Sequence, residues 1–297
     1  MRTRRATRPI QPSRTKVVLA QIAPALGDLD RNLALHLEEI RRAVRAGADL
    51  IVFPELSLTG YLLQDLVSEC GQQIGTSPYL QQLARASRQI AIVAGFVEQS
   101  PGILHHNSAG CFLGGRLVHV HRKVYLPTYA MFDEGRYFAA GEVFRTFQAP
   151  WGRTGILICE DFWHLSSSYL LAQEGMEVLI VVSNSPSQGL DASDPPVKQG
   201  SWMQLAGVVA QFFTCFVIYV NRAGYEEGWS FGGGSCAVDP SGRTLVQAAF
   251  FESDRVNAAL EPPLLRKART AYPVLRDEKL DLVRRELERI AAARYDG

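Results

Sequence analysis

Two kinds of segment alternate along the chain when apolar and polar positions are followed from residue 17 onward. Short apolar runs of strand length, such as residues 17–24 and 48–53, lie beside longer segments with helical period, such as 29–47. This alternation is typical of an α/β architecture. The first helix has two candidate N-caps, Asp28 and Asp30. The opening third of the chain therefore predicts strand, helix and strand in that order.

The same patterns predict the elements that follow. Hairpins are expected at residues 108–126, closed by two glycines at 114–115, and at 232–250, with a turn at 240–242. Residues 127–141 are expected to form an ordered loop, and residues 186–200 are expected to form a loop between a strand and a helix. A basic, helix-prone tail begins at Pro262. Further strands are predicted at 90–98, 143–150, 152–159, 177–185, 215–224 and 255–261, and further helices at 78–89, 166–175 and 201–214.

Three predicted strands end at residues with reactive side chains. Glu55 follows the apolar run 48–53, Lys123 lies near the end of the second hairpin strand, and Cys159 closes the strand at 152–159. The carboxyl ends of parallel strands are where α/β proteins hold their sites. If the three strands are neighbours in one sheet, the three side chains can converge.

Such a convergence would explain an unusual local sequence. Glu160 and Asp161 directly follow Cys159 and would oppose formation of a thiolate. The ammonium of Lys123 would favour the thiolate, and Glu55 could accept the thiol proton and return it to a leaving amine. Lys123 and the backbone N–H of Glu160 would face a developing oxyanion.

Composition narrows the class of protein. With 297 residues, of which 47% are hydrophobic and 21% charged, the chain is expected to form one soluble globular domain. A formal net charge of +1 gives no reason to expect nucleic acid or an anionic membrane as a partner. The longest apolar run, about residues 178–182, has the length of a strand and not of a membrane span.

Cysteine spacing and the N-terminus bear on location. The five cysteines are far apart and form no CxxC pair, so neither a disulfide framework nor a thiolate metal site is indicated, and a reducing cytoplasm is expected. Residues 1–15 contain five arginines but no apolar segment follows them. A flexible or partner-clasping arm is favoured there over a transit peptide.

Five ordered segments resemble those of a known family. The segments FPELSLTGY (53–61), HRKVYLP (121–127) and ILICEDFW (156–163) are similar to the three signatures of the carbon–nitrogen hydrolase family, or nitrilase superfamily, whose catalytic residues are Glu, Lys and Cys in that order. The segment FDEGRYFAAG (132–141) resembles the one that carries a second glutamate, here Glu134, with Asp133 as the alternative. The segment FGGGSCAVDPSGRTL (231–245) is similar to the late hairpin of the family.

The resemblance implies both a fold and a mechanism. The fold would be a four-layer α-β-β-α sandwich in one domain at residues 16–262, between the basic arm 1–15 and a helical tail 263–297, in a homodimer or larger homo-oligomer. Cys159 would attack an amide or nitrile carbon, Glu55 would shuttle protons, and water would hydrolyse the thioester. Glu134 would orient Lys123 or the water. Neither a metal nor an organic cofactor is implied.

Within the family, the motif wording is most similar to the glutaminase domain of glutamine-dependent NAD synthetase. This similarity lies in residues 60–66, 126–138 and 160–163, whereas the loop 183–196 differs and no SGGxDS-type loop of a synthetase domain is present. The candidate substrate contacts are Tyr61, Tyr129, Glu160 and Ser185. The acids at 160 and 161 are also candidates for a structural role, as local caps or paired with an arginine such as Arg136.

Three functions therefore remain open. The first is an amidase acting on a small amide. The second is a stand-alone glutaminase subunit that supplies ammonia to a synthetase partner. The third is a catalytically silent, dimeric binding protein that keeps the sandwich, and the intact Glu55, Lys123 and Cys159 argue against it.

Overall fold

A computed structural model describes residues 14–187 and 197–295 of the chain. The predicted arm at 1–15 lies almost wholly outside the described residues, as does most of the predicted loop at 186–200. The strands are β1 Thr15–Gln21, β2 Leu50–Val52, β3 Ala91–Gln99, β4 His105–Leu113, β5 Arg116–Arg122, β6 Phe147–Ala149, β7 Gly152–Ile158, β8 Val178–Ser183, β9 Pro186–Ser187, β10 Phe216–Asn221, β11 Ala223–Glu226, β12 Trp229–Gly232, β13 Cys236–Val238, β14 Thr244–Gln247 and β15 Asp254–Leu260. The helices are α1 Leu29–Arg45, α2 Val67–Cys70, α3 Pro78–Ala86, α4 Glu134–Tyr137, α5 Leu165–Gln173, α6 Val197–Phe212, α7 Pro262–Ala271, α8 Val274–Asp277 and α9 Leu280–Tyr295.

Two six-stranded sheets form the centre of the fold. The first has the order β15-β1-β2-β3-β4-β5 and the second the order β14-β13-β10-β8-β7-β6. The strands β1, β2 and β3 are parallel, as are β7, β8 and β10, and the outer strands of both sheets pair antiparallel. The parallel strands end at one edge of each sheet, which places their carboxyl ends together.

Alternating side chains of the strands divide the core into layers. Val17, Leu19 and Val93 of the first sheet belong to one buried cluster with the strands of the second sheet. Their neighbours in the sequence, such as Val18 and Ile92, point to the opposite face of the sheet and belong to a second cluster with the apolar faces of α1 and α3. Side chains of α5 and α6 pack on the second sheet. The four-layer α-β-β-α sandwich is therefore confirmed, in a single domain.

Most of the predicted elements are present with shorter bounds. Of the two candidate caps of α1, Asp28 is the one whose side chain accepts the N–H of Arg31, at 3.0 Å. The expected loop 127–141 contains the one-turn helix α4, and α6 begins at Val197, inside the expected loop 186–200. Among the described residues, no helix is long and apolar enough to cross a membrane.

A three-stranded sheet of order β11-β12-β9 was not predicted. Its strands have two to four residues, and glycines interrupt their side-chain alternation, so no period of two is visible in the sequence. The sheet matters for the site because β11 carries Glu226, whose contacts are described below.

A buried histidine joins α1 to the turn that follows β2. His36 Nδ1 donates to the carbonyl oxygen of Asn32 at 2.7 Å, and Nε2 accepts from the hydroxyl of Ser57 at 2.9 Å. The imidazole lies against the ring of Phe53, with 4.2 Å between centroids. Burial lowers the pKa of His36 to about 4, which the hydrogen bond to Asn32 opposes only in part. The side chain is therefore neutral in the folded protein near pH 7.

We predict that His36 makes the fold sensitive to acid. The unfolded chain takes up this proton near pH 6.5 and the folded chain only near pH 4, so the contribution is complete above pH 6.5 and falls by about 3 kcal/mol towards pH 4. The variant His36→Gln should show a smaller loss of unfolding free energy over this range. Urea titrations at several pH values measure it, and an equal loss in both proteins would refute the assignment.

Candidate active site

Glu55, Lys123 and Cys159 meet between the two sheets. Glu55 lies three residues after β2, and Lys123 directly follows β5, so both belong to the first sheet, whereas Cys159 directly follows β7 of the second. All three are buried. Lys123 Nζ donates to Glu55 Oε1 at 2.8 Å. The sequence analysis made convergence conditional on three neighbouring strands in one sheet, and this condition is not met. Cys159 instead meets Glu55 and Lys123 because the two sheets face each other.

Two asparagines fix the carboxylate of Glu55. Asn107 Nδ2 donates to Oε1 at 2.7 Å, and the backbone N–H of Asn184 donates to Oε2 at 2.7 Å. The Asn184 side chain also donates to the carbonyl oxygen of Glu55 at 2.8 Å. The carboxylate is therefore held in one orientation by donors from β4 and from the end of β8.

Glu134 completes an ion-pair network around Lys123. Glu134 Oε1 accepts from Lys123 Nζ at 2.7 Å and from the hydroxyl of Tyr61 at 2.6 Å. It is buried, while its neighbour Asp133 is exposed, so Glu134 is the acid at this position. Burial raises the pKa of Glu134 to about 7, the ammonium of Lys123 lowers it, and the charge of Glu55 raises it again.

The ammonium of Lys123 is stabilised by this pair of carboxylates. Burial lowers the pKa of Lys123, but the negative charges of Glu134 and Glu55 outweigh burial and hold the pKa well above its usual value. Lys123 is therefore cationic in the resting protein, and its charge is already paired on two sides.

Cys159 lies at a sharp change of direction. Its φ is 44°, in the left-handed region, where β7 ends and a short 3₁₀ turn at Cys159–Trp163 begins. The Ser183 hydroxyl donates to Sγ at 3.3 Å. Burial raises the pKa of the thiol far above its usual value, the charge of Glu55 adds to this, and Lys123 lowers it only in part. The resting form is therefore a thiol, whereas the sequence led us to expect that Lys123 would favour a thiolate.

Asp161 holds the cysteine turn against the segment after β5. Its Oδ1 accepts the N–H groups of Val124 and Tyr125, both at 3.0 Å. Its Oδ2 accepts from His121 Nε2 at 2.8 Å and from the N–H of Ile158 at 3.2 Å. The acid is therefore a structural cap, as predicted, and its hydrogen bonds tie the Cys159 turn to the chain beside Lys123.

The four candidate substrate contacts have different environments. Tyr61 is bound to Glu134, and the Tyr129 hydroxyl donates to Glu160 Oε2 at 2.8 Å, next to Cys159 in the chain. Ser185 is buried, and its hydroxyl accepts from the indole N–H of Trp202 at 2.8 Å. The structure therefore brings Tyr61, Tyr129 and Glu160 to the site, while the hydroxyl of Ser185 is engaged in the core.

A buried ion pair between Arg222, directly before β11, and Glu226, its last residue, fixes the turn that carries Tyr61. Arg222 Nη1 donates to Glu226 Oε2 at 2.6 Å, and both side chains are buried. Glu226 Oε1 accepts the N–H groups of Tyr61 at 2.9 Å and Leu62 at 2.7 Å. The sequence analysis missed this pair because the fold, and not a sequence motif, brings residues 61 and 226 together.

The sequence analysis also missed Asn107, Asn184 and Lys198. Asn184 directly follows β8, so the rule that found Cys159 at the end of β7 also applied to it. Asn107 is inside β4 and carries no comparable signal. Lys198 lies in the first turn of α6, within a segment read as a loop, and its surroundings are described below.

We predict that Glu226→Ala destabilises the fold strongly. The substitution leaves Arg222 buried without its carboxylate and two N–H groups without an acceptor, which should lower the free energy of unfolding by about 3–5 kcal/mol. Urea denaturation measures the change.

The exposed pair of Arg284 and Glu288 in α9 is a matched control, since both side chains are 61% exposed. Glu288→Ala should change the free energy of unfolding by less than about 1 kcal/mol. Equal effects at the two positions would contradict the structural role of Glu226.

Comparison with known proteins assigns the chain to a family. The sequence profile described as carbon-nitrogen hydrolase matches residues 16–270, and the chain therefore belongs to the carbon–nitrogen hydrolase family. It is an enzyme of this family by the same evidence and by its similarity to amidases.

Two curated relatives differ in length. The chain is 35% identical over 276 residues to an (R)-stereoselective amidase from Pseudomonas sp, covering 90% of this chain and 92% of that protein. It is 32% identical over 252 residues to glutamine-dependent NAD(+) synthetase from Thermotoga maritima, covering 84% of this chain but 42% of that protein. The chain thus spans about two fifths of the length of this synthetase.

A solved structure supports the fold. The carbon-nitrogen hydrolase from Helicobacter pylori G27 superposes with a TM-score of 0.81 at 23% identity, covering 93% of this chain and 99% of that one. This similarity bears on the architecture alone.

Proposed function

We propose that the chain is a cysteine-dependent amidohydrolase. It cleaves a non-peptide carbon–nitrogen bond of a small amide through a thioester and releases ammonia or an amine. The observation that carries this proposal is the convergence of Glu55, Lys123 and Cys159 at one buried point, with the carboxylate and the ammonium in contact.

The resting thiol determines how the reaction begins. As Cys159 Sγ attacks the amide carbon, Glu55 accepts the thiol proton, because the high pKa of the sulfur prevents its loss beforehand. Lys123 and the N–H of Glu160 stabilise the oxygen of the tetrahedral intermediate. Glu55 then passes the proton to the leaving nitrogen, the carbon–nitrogen bond breaks, and a thioester with ammonia or an amine results.

Water completes the cycle. Glu55, again a carboxylate, takes a proton from water as the oxygen attacks the thioester carbon, and returns it to the departing sulfur. The products are the free acid and the thiol of Cys159. Glu134 keeps Lys123 in position throughout, since it accepts a second hydrogen bond from the ammonium beside the one to Glu55.

A stand-alone glutaminase is a second candidate. The similarity to glutamine-dependent NAD(+) synthetase from T. maritima, at 32% identity over 84% of this chain, supports this candidate. Two charged side chains, Glu160 and Lys198, belong to the surroundings of Cys159. They also suit a substrate that carries ionised groups. Homo-oligomer formation, a cytoplasmic location and the role of the basic arm stay predictions.

We predict that Cys159→Ala abolishes the release of ammonia from amides, by at least about 1,000-fold, because the nucleophile is removed. Mass spectrometry of the wild-type protein mixed with substrate should show an acyl group on Cys159. Cys70→Ala, at a buried cysteine of α2, is the control and should retain activity. Turnover that survives in Cys159→Ala would refute the mechanism.

We also predict that activity falls at acidic pH because of Glu134. The carboxylate form binds Lys123, so kcat/KM should decrease as the pH falls below about 7, where Glu134 takes up a proton. In Glu134→Gln this decrease should no longer occur near pH 7, and the maximal rate should be lower because Lys123 loses one of its carboxylates. Rate profiles from pH 5 to pH 9 test this, and an unchanged acidic limb in the variant would contradict it.

A further inference from the structure

Lys198 borders the candidate active site from α6. Its Nζ lies 5.9 Å from the centroid of the Phe132 ring. Phe132 in turn makes edge contacts with Tyr61 and Tyr129, at centroid distances of 6.3 and 5.6 Å. Lys198 therefore belongs to the same group of side chains as Tyr61, which binds Glu134, and Tyr129, which binds Glu160.

Among the described residues, no carboxylate neutralises the charge of Lys198. Within residues 14–187 and 197–295, its ammonium forms no ion pair and no hydrogen bond, whereas Lys123 and Arg222 are both paired with carboxylates. Burial lowers the pKa of Lys198, and the charges of a thiolate at Cys159 and of the Glu160 carboxylate oppose this only in part.

A partly buried cation without a counter-ion is costly, and an anionic group of a ligand would remove that cost. Lys123 does not offer this, since two carboxylates already bind it. We propose that Lys198 binds a carboxylate of the substrate, and that the enzyme prefers small amides whose acyl chain ends in a carboxylate. This inference rests on the proposed amidohydrolase function and names its substrate class.

Glu160 limits where such a carboxylate can lie. Its side chain accepts from Tyr129 and makes no ion pair with Lys198. A substrate carboxylate must therefore lie nearer to Lys198 than to Glu160, which would repel it. An ammonium on the same substrate would be attracted to Glu160.

Four amides of equal chain length separate these charges. Pentanamide carries none, glutaramate carries a carboxylate, 5-aminopentanamide carries an ammonium, and glutamine carries both. For the wild type, kcat/KM should be about 10- to 100-fold higher for glutaramate than for pentanamide, as expected for one charged hydrogen bond.

The test compares that ratio in Lys198→Met and in Lys267→Met, a matched change at an exposed lysine of α7. Lys198→Met should bring the ratio of glutaramate to pentanamide close to one, and Lys267→Met should keep the wild-type ratio. A ratio that is the same in Lys198→Met as in the wild type would overturn the inference.

A binding measurement separates this inference from the proposed function. Calorimetry with the Cys159→Ala protein should show glutaramate binding about 10- to 100-fold more tightly than pentanamide, and addition of Lys198→Met should remove the difference. Equal binding of the two amides would overturn the role of Lys198 even if the wild type hydrolyses amides. Absence of turnover and of any adduct on Cys159 in the wild type would instead refute the hydrolase proposal, and the binding experiment would still decide the role of Lys198.

Discussion

The rest of the site depends on the ion pairs of the Lys123 ammonium with Glu55 and Glu134. The ammonium lies between these two buried carboxylates, Glu55 at 2.8 Å and Glu134 at 2.7 Å. Two carboxylates buried without a cation would repel each other and lose hydration, so one of them would bind a proton. With the cation between them, Glu55 can be held ready as a base inside the protein. The first sheet supplies Glu55 and Lys123, which follow β2 and β5, and α4 adds the second acid.

Support for this cluster comes from distant parts of the chain. Asn107 and Asn184 orient Glu55, and Asp161 ties the cysteine turn to the backbone that follows Lys123. Gly95 of β3 shows how closely the backbone is packed there, since a Cβ at this position would overlap the backbone nitrogen of Leu56. The reacting groups are therefore positioned by hydrogen bonds and close backbone packing, which limits the rearrangement needed during reaction.

Sequence reasoning identified candidates where a strand end or a motif marked a residue. Glu55, Lys123 and Cys159 each follow a strand, directly or within three residues. The α/β class followed from the alternation of elements, whereas the four-layer sandwich was implied by the resemblance to the family. Glu226 and Arg222 were not found, because strands of two to four residues with glycines show no period. In addition, the hydrogen bond from the Tyr61 N–H to Glu226 joins residues that are 165 positions apart in the sequence. The protonation of Cys159 was also misjudged: local charges are visible in a sequence, but the burial that dominates the thiol pKa is not. The domain boundaries at 15 and 262 stay predictions.

The backbone of Cys159 gives the fold a conformation that its side chain does not favour. A φ of 44° costs a residue with a Cβ on the order of 1 kcal/mol, whereas glycine adopts it freely. Selection for thermal stability alone would therefore tend to replace this cysteine, and selection for chemistry must retain it against that tendency. Descendants of this fold that lost the reaction and kept the sandwich would be expected to lose the cysteine early, and to become more stable when they did.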